Sequence, residues 1–307
     1  MILDGNELAD VLVQHLKSDI DTGVKDGWHK PRLVIFTVEP TDEIKSFIRS
    51  KQRLAEKIGA EVEVIEYDVA PRYIEFANRV AEVAHEENTT GVIIQLPLPA
   101  ALSTTTLLDY VPPMKEIEGF KKKPLFEHPI GLAVMCMIKK ALSPDPMTTP
   151  ESVVISEKDI VFFKNIMKRK KVVLLGRGRT GGEPIGNTLS RYKANYINIR
   201  KSTPDPDDFI KQASIVVSAV GMNVINPEAL RHDAVLIGVG LHKVNGMWKG
   251  DYDENLIKDR VLAYSPTPGG VGPLNVAYLL FNLVQAWKMQ HGPQIGTPKP
   301  YHRTEGN

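Results

Sequence analysis

Apolar and polar positions along this chain follow two periods by turns. Short, nearly unbroken apolar stretches recur at Arg32–Val38, Gly91–Gln95, Lys171–Leu175, Ile215–Ala219 and Val235–Val239. Such runs are the pattern of strands covered on both faces. Val62–Tyr67 and Tyr196–Ile199 are also strand-like. Between the runs, apolar residues return at helical spacing. Leu8, Val11, Leu12 and Leu16 form one stripe, and Ile44, Phe47, Ile48, Leu54 and Ile58 form another within 43–58. Residues 73–86, 130–142 and 184–192 follow the same period, as do Leu274, Ala277, Leu280, Leu283, Val284 and Trp287 within 273–290. Strand and helix in repeated alternation predict an α/β protein with mostly parallel sheets.

Punctuation divides the pattern. Residues 111–130 are rich in Pro, Lys and Glu and read as a loop, and 143–150 (SPDPMTTP) reads as a connector. A second strand-helix series begins near residue 155. The expected division is therefore 1–150, then 151–272, with the helix over 273–290 and a loose polar tail over 291–307. Composition alters little: 42% hydrophobic and 24% charged residues are ordinary for a globular chain. A net charge of +1 over 307 residues argues against a broad nucleic-acid surface and leaves local basic sites open. Cys136 is the one cysteine, which excludes an intrachain disulfide, a Cys-rich zinc site and a CxxC pair. It sits in an apolar run and reads as a small buried hydrophobe. The eight histidines show no HExxH or other short metal spacing, so no metal is expected, and the default reading for each is a surface or core residue. No GxSxG nucleophile motif is present. The opening residues lack a signal-peptide pattern, and no apolar stretch is long enough to span a membrane. A soluble, cytoplasmic protein is expected.

Gly176-Arg-Gly-Arg-Thr-Gly181 fits GxGxxG, a weak pattern when alone. Here it follows an apolar strand and precedes a helix, the context that a dinucleotide-binding turn needs. Gly176, Gly178, Gly181 and the adjoining Gly182 would let backbone approach a pyrophosphate at the helix N-terminus. Enzymes of this type that use NAD carry an acid near the end of the next strand, for the ribose 2′-hydroxyl. That end reads Ile199-Arg-Lys-Ser202, with no acid. Arg200 and Lys201, with Arg177 inside the turn, attract a 2′-phosphate and so favour NADP over NAD.

Several strings then occur in one order: Ile2-Leu-Asp-Gly5, Gln95-Leu-Pro-Leu-Pro99, Lys115-Glu-Ile-Glu-Gly119, Gly182-Glu-Pro184, Gly250-Asp-Tyr-Asp253 and Pro266-Thr-Pro-Gly-Gly-Val-Gly-Pro273. In these the chain resembles the methylenetetrahydrofolate dehydrogenase/cyclohydrolase family from residue 2 to about residue 288. The resemblance implies an N-terminal αβα folate domain, a Rossmann-type domain, a cleft between them, a C-terminal helix returning to the first domain, and a homodimer. It implies oxidation of 5,10-methylenetetrahydrofolate with NADP and hydrolysis of the methenyl product to 10-formyltetrahydrofolate. It also implies that Phe47 stacks on the folate, that Lys51 moves protons with Gln95 holding it, and that Glu118 takes the place of the family's pterin-binding Asp. Pro97, Gly269, Gly270 and Pro273 fall in substrate-binding strings. Phe47 and Lys51 stand four residues apart, on one helix face.

The chain departs from the family at five places. Phe47 replaces a Tyr, Ile44 a Ser, and Gly178 the Ser of Gly-Arg-Ser; Met147-Thr-Thr-Pro150 replaces Pro-Cys-Thr-Pro; Gly238 replaces an Asp. Two other readings stay open at this stage. One is a dehydrogenase without the hydrolase, or one acting on another reduced pterin. The other is a regulatory binder of folate or nucleotide.

Overall fold

The most apolar run of the first half becomes the middle strand of a parallel sheet. In the computed structural model, which describes residues 1–143 and 145–292, helix α1 (Gly5–Lys25) leads to β1 (Arg32–Val38), α2 (Asp42–Ile58), β2 (Glu61–Tyr67), α3 (Tyr73–His85) and β3 (Gly91–Ile94). These strands pair in parallel in the order β2-β1-β3. With a neighbour on each side and apolar layers above and below, β1 is buried from Leu33 to Val38. β2 stands at the end of the order and keeps glutamates at 61, 63 and 66; Arg32 binds Glu63 and, at 2.8 Å, Glu86.

The ends of α2 are set by local chemistry. Thr41 Oγ1 accepts the Ile44 N–H at 3.4 Å, an N-cap, and Gly59 closes the helix in the left-handed region at φ +84°, donating to the Ala55 and Glu56 carbonyls. The face that α2 buries carries Ile44, Ile48, Lys51, Ala55 and Ile58.

After a 3₁₀ turn at Thr106–Tyr110 come α4 (Pro129–Leu142), α5 (Pro150–Val153), α6 (Ile160–Met167), β4 (Val172–Leu175), α7 (Gly182–Arg191), β5 (Tyr196–Ile199), α8 (Pro206–Ile210) and β6 (Ile215–Ser218). The chain continues through β7 (Val235–Gly238), the antiparallel pair β8 (His242–Val244) and β9 (Met247–Lys249), α9 (Glu254–Ile257), β10 (Ala263–Tyr264) and α10 (Val271–His291). Five strands form a parallel sheet in the order β10-β7-β6-β4-β5. From β4 the chain steps to β5 on one side and then to β6 on the other. This is a topological switch point, where ligands of open α/β sheets bind beyond the strand C-termini. Ile2 pairs with Tyr264, and the Leu3 N–H donates to the Tyr264 carbonyl at 2.8 Å, so the first residues extend the β10 edge.

The chain divides into two compact units. One holds Met1–Leu12 with Ile130–Tyr278; the other holds Val13–Pro129 with the chain from Leu279 on. Helices α1 and α10 each contribute to both. The sequence reading placed a single boundary near 150, on a Pro-rich stretch. That stretch lies within the first unit, where Met147 is buried and Thr149 and Ser152 cap α5 reciprocally. The apolar helix α4, with Cys136 fully buried in it, belongs to the same unit as the five-stranded sheet. In the second unit, the far half of α10 covers the three-stranded sheet. Leu283 packs on Gly91, the Trp287 indole N–H donates to the His29 carbonyl at 2.7 Å, and Asn282 donates to the carbonyls of Ile117 (2.8 Å) and Glu127 (2.9 Å). The tail expected to be loose lies, from residue 293 on, outside the described residues.

Candidate active site

α2 presents Phe47 and Lys51 four residues apart, with opposite fates. Phe47 is 39% exposed, while Lys51 is buried. The Lys51 ammonium donates to Gln95 Oε1 at 2.6 Å, and the Gln95 amide in turn donates to the Leu96 carbonyl at 2.9 Å. Gln95 follows β3, and its N–H still donates to the Phe36 carbonyl of β1 at 2.8 Å, so sheet pairing fixes its backbone. Pro97 follows on the exposed side of a cis Leu96–Pro97 bond. Burial lowers the Lys51 pKa below the ordinary lysine range, and the Glu118 charge partly opposes that shift.

Glu118 sits in the loop after the 3₁₀ turn and is half-buried. Desolvation raises its carboxyl to about 7, with Lys51 pulling it down and Glu116 pushing it up. Glu116 is buried, and its carboxylate accepts the N–H groups of Glu118 (2.9 Å) and Lys121 (3.3 Å). Glu116 therefore builds the loop that carries Glu118. The Lys121 ammonium is taken up by the carbonyls of Leu108 (2.5 Å) and Val111 (2.7 Å), so this member of the basic run 121–123 is structural. Phe47, Lys51, Gln95, Pro97 and Glu118 all lie in the unit built on the three-stranded sheet.

Gly176, Arg177, Gly178, Gly181, Gly182, Arg200 and Lys201 lie in the other unit, at its switch point. A Cβ on Gly176 would stand 2.5 Å from the Ala219 carbonyl at the end of β6, and Gly176 has φ +107°. A Cβ on Gly182 would stand 2.4 Å from the Gly176 carbonyl. The turn therefore folds back on itself as only glycine permits, and α7 starts there. Asn198 of β5 clasps the turn, donating to the Gly176 carbonyl at 2.8 Å. The buried Asp251 carboxylate holds the neighbouring segment after β6, accepting the Ser218 hydroxyl (2.7 Å) and the N–H groups of Val220, Gly221 and Met222. Neither Asn198 nor Asp251 was singled out from the sequence, although Asp251 lies in one of the matching strings. The side chains of Arg177, Arg200 and Lys201 are exposed. A close backbone cradle, a helix N-terminus and cations without an acid fit a dinucleotide bearing a 2′-phosphate.

The family models described as tetrahydrofolate dehydrogenase/cyclohydrolase, catalytic domain, and tetrahydrofolate dehydrogenase/cyclohydrolase, NAD(P)-binding domain, match residues 3–118 and 148–291. The chain belongs to the tetrahydrofolate dehydrogenase/cyclohydrolase family. The bifunctional protein FolD of Staphylococcus aureus is 29% identical over 294 residues, covering 95% of this chain and 98% of its own. Two solved structures share the fold. One is the bifunctional FolD methylenetetrahydrofolate dehydrogenase/cyclohydrolase of Campylobacter jejuni (TM-score 0.81, 21% identity, 94% of this chain and 98% of that one). The other is the Trypanosoma brucei dehydrogenase-cyclohydrolase complexed with NADP and an inhibitor (TM-score 0.80, 23% identity, 95% and 99%).

Two of the departures have a structural reason. Gly238 replaces an acid where a Cβ would stand 2.8 Å from the Tyr252 ring; Tyr252 fills that space and donates its hydroxyl to the Ser265 carbonyl at 2.5 Å. Ile44 is buried behind the Thr41 cap, an apolar use of a polar family position. An added Cβ at Gly178 meets nothing within 4 Å. Gly269 and Gly270 of the family string pack on the start of α1. The Gly5 N–H donates to the Gly269 carbonyl at 2.8 Å, and a side chain on Gly5 would strike the Gly270 carbonyl. With Pro273, in the first turn of α10, they belong to the unit of the five-stranded sheet, whereas Lys51 and Glu118 belong to the other. Among the described residues no cluster of His, Cys, Asp or Glu suits a metal, and no helix is long and apolar enough to cross a membrane.

Proposed function

We propose that this protein oxidises 5,10-methylenetetrahydrofolate to 5,10-methenyltetrahydrofolate with NADP and hydrolyses the product to 10-formyltetrahydrofolate. The observation that carries the reading is the buried Lys51 ammonium on Gln95 beside Glu118, in a chain of this family. The folate belongs to the unit of Val13–Pro129 and the nucleotide to the other. Gly176, Gly178, Gly181, Gly182 and Arg177 would hold the pyrophosphate, and Arg200 and Lys201 the 2′-phosphate. The bound cofactor supplies an acceptor for the hydride that leaves the methylene carbon.

The chain's own residues do the rest. The exposed Phe47 ring offers a stacking face to the pterin, and the ionised Glu118 accepts two neighbouring pterin N–H groups. Pro97 adds a further substrate contact within the same unit. In the hydrolytic step water adds to the methenyl carbon, the bond from that carbon to N5 breaks, and one proton is released. Lys51 is suited to take that proton. Burial lowers its pKa and so favours the neutral amine, and Gln95 Oε1 keeps its nitrogen in place in either protonation state, because an amide oxygen accepts from both. The Tyr hydroxyl of relatives is absent at Phe47, so the hydrolytic network rests on Lys51 and Gln95. A homodimer in the cytoplasm, with no nucleic-acid partner, completes the reading.

The test follows reduced cofactor and methenyl absorbance after mixing protein with 5,10-methylenetetrahydrofolate and NADP, then with NAD. Reduction of NADP in preference to NAD, without lasting methenyl accumulation, is the expected result. No reduction with either cofactor defeats the proposal. Lys51→Met should lower hydrolysis by at least ~100-fold, the lower range for a general base, while dehydrogenation falls much less.

A further inference from the structure

A glutamate facing a pterin must hold its carboxylate at one place, and it has one more rotatable bond than the aspartate of relatives. The surrounding main chain then has to be firm, and here it is held from both sides of the residue. The Glu118 N–H donates to Glu116 Oε1 at 2.9 Å, and the Glu118 carbonyl oxygen meets His128 Nδ1 at 3.0 Å. A carbonyl oxygen only accepts, so His128 Nδ1 carries the proton and donates. The His128 side chain is buried, and its ring lies 5.3 Å from that of Phe120. Between them Gly119 takes φ +81°, where an added Cβ would stand 2.8 Å from the Phe126 carbonyl and 3.1 Å from the His128 backbone nitrogen. The strand of loop over 126–128 is thus pressed against the Glu118–Gly119 turn. Asn282 ties the same two stretches once more, binding the carbonyls of Ile117 and Glu127, the residues preceding Glu118 and His128.

We infer that His128 is a positioning residue for Glu118, its Nδ1–H fixing the Glu118 carbonyl so that the carboxylate meets the pterin ring in one orientation. This rests on the substrate-binding reading of Glu118 given above. His128 does not itself touch substrate. Without its donor the Glu118 carbonyl loses this partner and the Gly119 turn can rotate, whereas Lys51 and Gln95, held by α2 and β3, keep their places.

The experiment uses the full chain and two readouts. Titration calorimetry with tetrahydrofolate measures folate affinity without turnover, and steady-state kinetics give KM for 5,10-methylenetetrahydrofolate and for NADP separately. His128→Leu should weaken tetrahydrofolate binding about tenfold, the scale of one lost hydrogen bond, and raise the folate KM alike. The NADP KM should stay within about twofold, on the same scale. His128→Asn, whose amide nitrogen reaches the Nδ1 position, should recover most of the loss. Should the leucine variant not fold, His128→Gln, with its amide one methylene further out, replaces it and should show the same loss. Unchanged tetrahydrofolate affinity in a folded variant overturns the inference. So does a parallel rise in both KM values, or an asparagine variant as weak as leucine. Wild-type protein that binds tetrahydrofolate, shows this His128 pattern, and does not oxidise the methylene form defeats the functional proposal alone. Wild-type protein that binds no tetrahydrofolate overturns both.

Discussion

Glu118 is a carboxyl held near the middle of its titration at neutral pH. Burial raises it to about 7, against the pull of Lys51 and with the push of Glu116. Only the ionised form can accept two pterin N–H groups, so folate affinity must grow as the proton leaves. Tetrahydrofolate affinity measured from about pH 6 to 8 is expected to climb through about 7 and then level off. Glu118→Gln, which cannot ionise, should bind more weakly and show no such climb. A wild-type affinity that is flat across this range would count against the role of Glu118. Lys51, Glu116 and His128 are the other titratable groups around this carboxyl. Glu116 is tied into its own loop by the Glu118 and Lys121 N–H groups, and His128 Nδ1 meets the Glu118 carbonyl.

At the scale of the element, the glycine turn after β4 makes the sharpest claim. Gly182→Ala would place a methyl group 2.4 Å from the Gly176 carbonyl, so the turn must open. NADP affinity, measured by fluorescence titration, should fall by at least about tenfold with tetrahydrofolate affinity unchanged, since one or more backbone contacts to the pyrophosphate are displaced. This turn was readable in the sequence because its requirement is local: glycines at fixed offsets between a strand and a helix. The central strands were readable for a similar reason, since β4, β6 and β7 are buried from end to end and β1 from Leu33 to Val38. α6 escaped notice despite its apolar residues, lying in a stretch read only as the start of a strand-helix series, and the β8–β9 hairpin turns on Asn245 and Gly246, both at positive φ. The folate side of the site was legible only through family strings. Lys51 looks like any surface lysine until tertiary packing buries it. His128, Glu116, Asn198 and Asp251 owe their roles to partners distant in the chain or to turns whose shape no local pattern reveals. A lone histidine carries no periodicity from which a hydrogen bond to Glu118 could be inferred.

At the scale of the molecule, neither unit is a continuous piece of chain. The unit of the three-stranded sheet is completed by the far half of α10, which brings Leu280, Leu283, Trp287 and the Asn282 clamp. Each large apolar side chain buried this way contributes roughly 1.5–3 kcal/mol, so together they match a sizeable share of the ~5–15 kcal/mol that holds a typical domain. A chain ending at Tyr278 should therefore lose tetrahydrofolate binding and the cooperative unfolding of this unit, as followed by circular dichroism and limited proteolysis. Retention of both would show that the α10 cover is dispensable. The same arrangement governs how the protein is born. A ribosome delivers β1, α2, β2, α3 and β3 early, yet the Gly91 strand waits for Leu283, and the His29 carbonyl for Trp287, until α10 has emerged. The half-built folate unit must therefore remain shielded from aggregation throughout the synthesis of the nucleotide unit, and the two mature almost together once α10 is released.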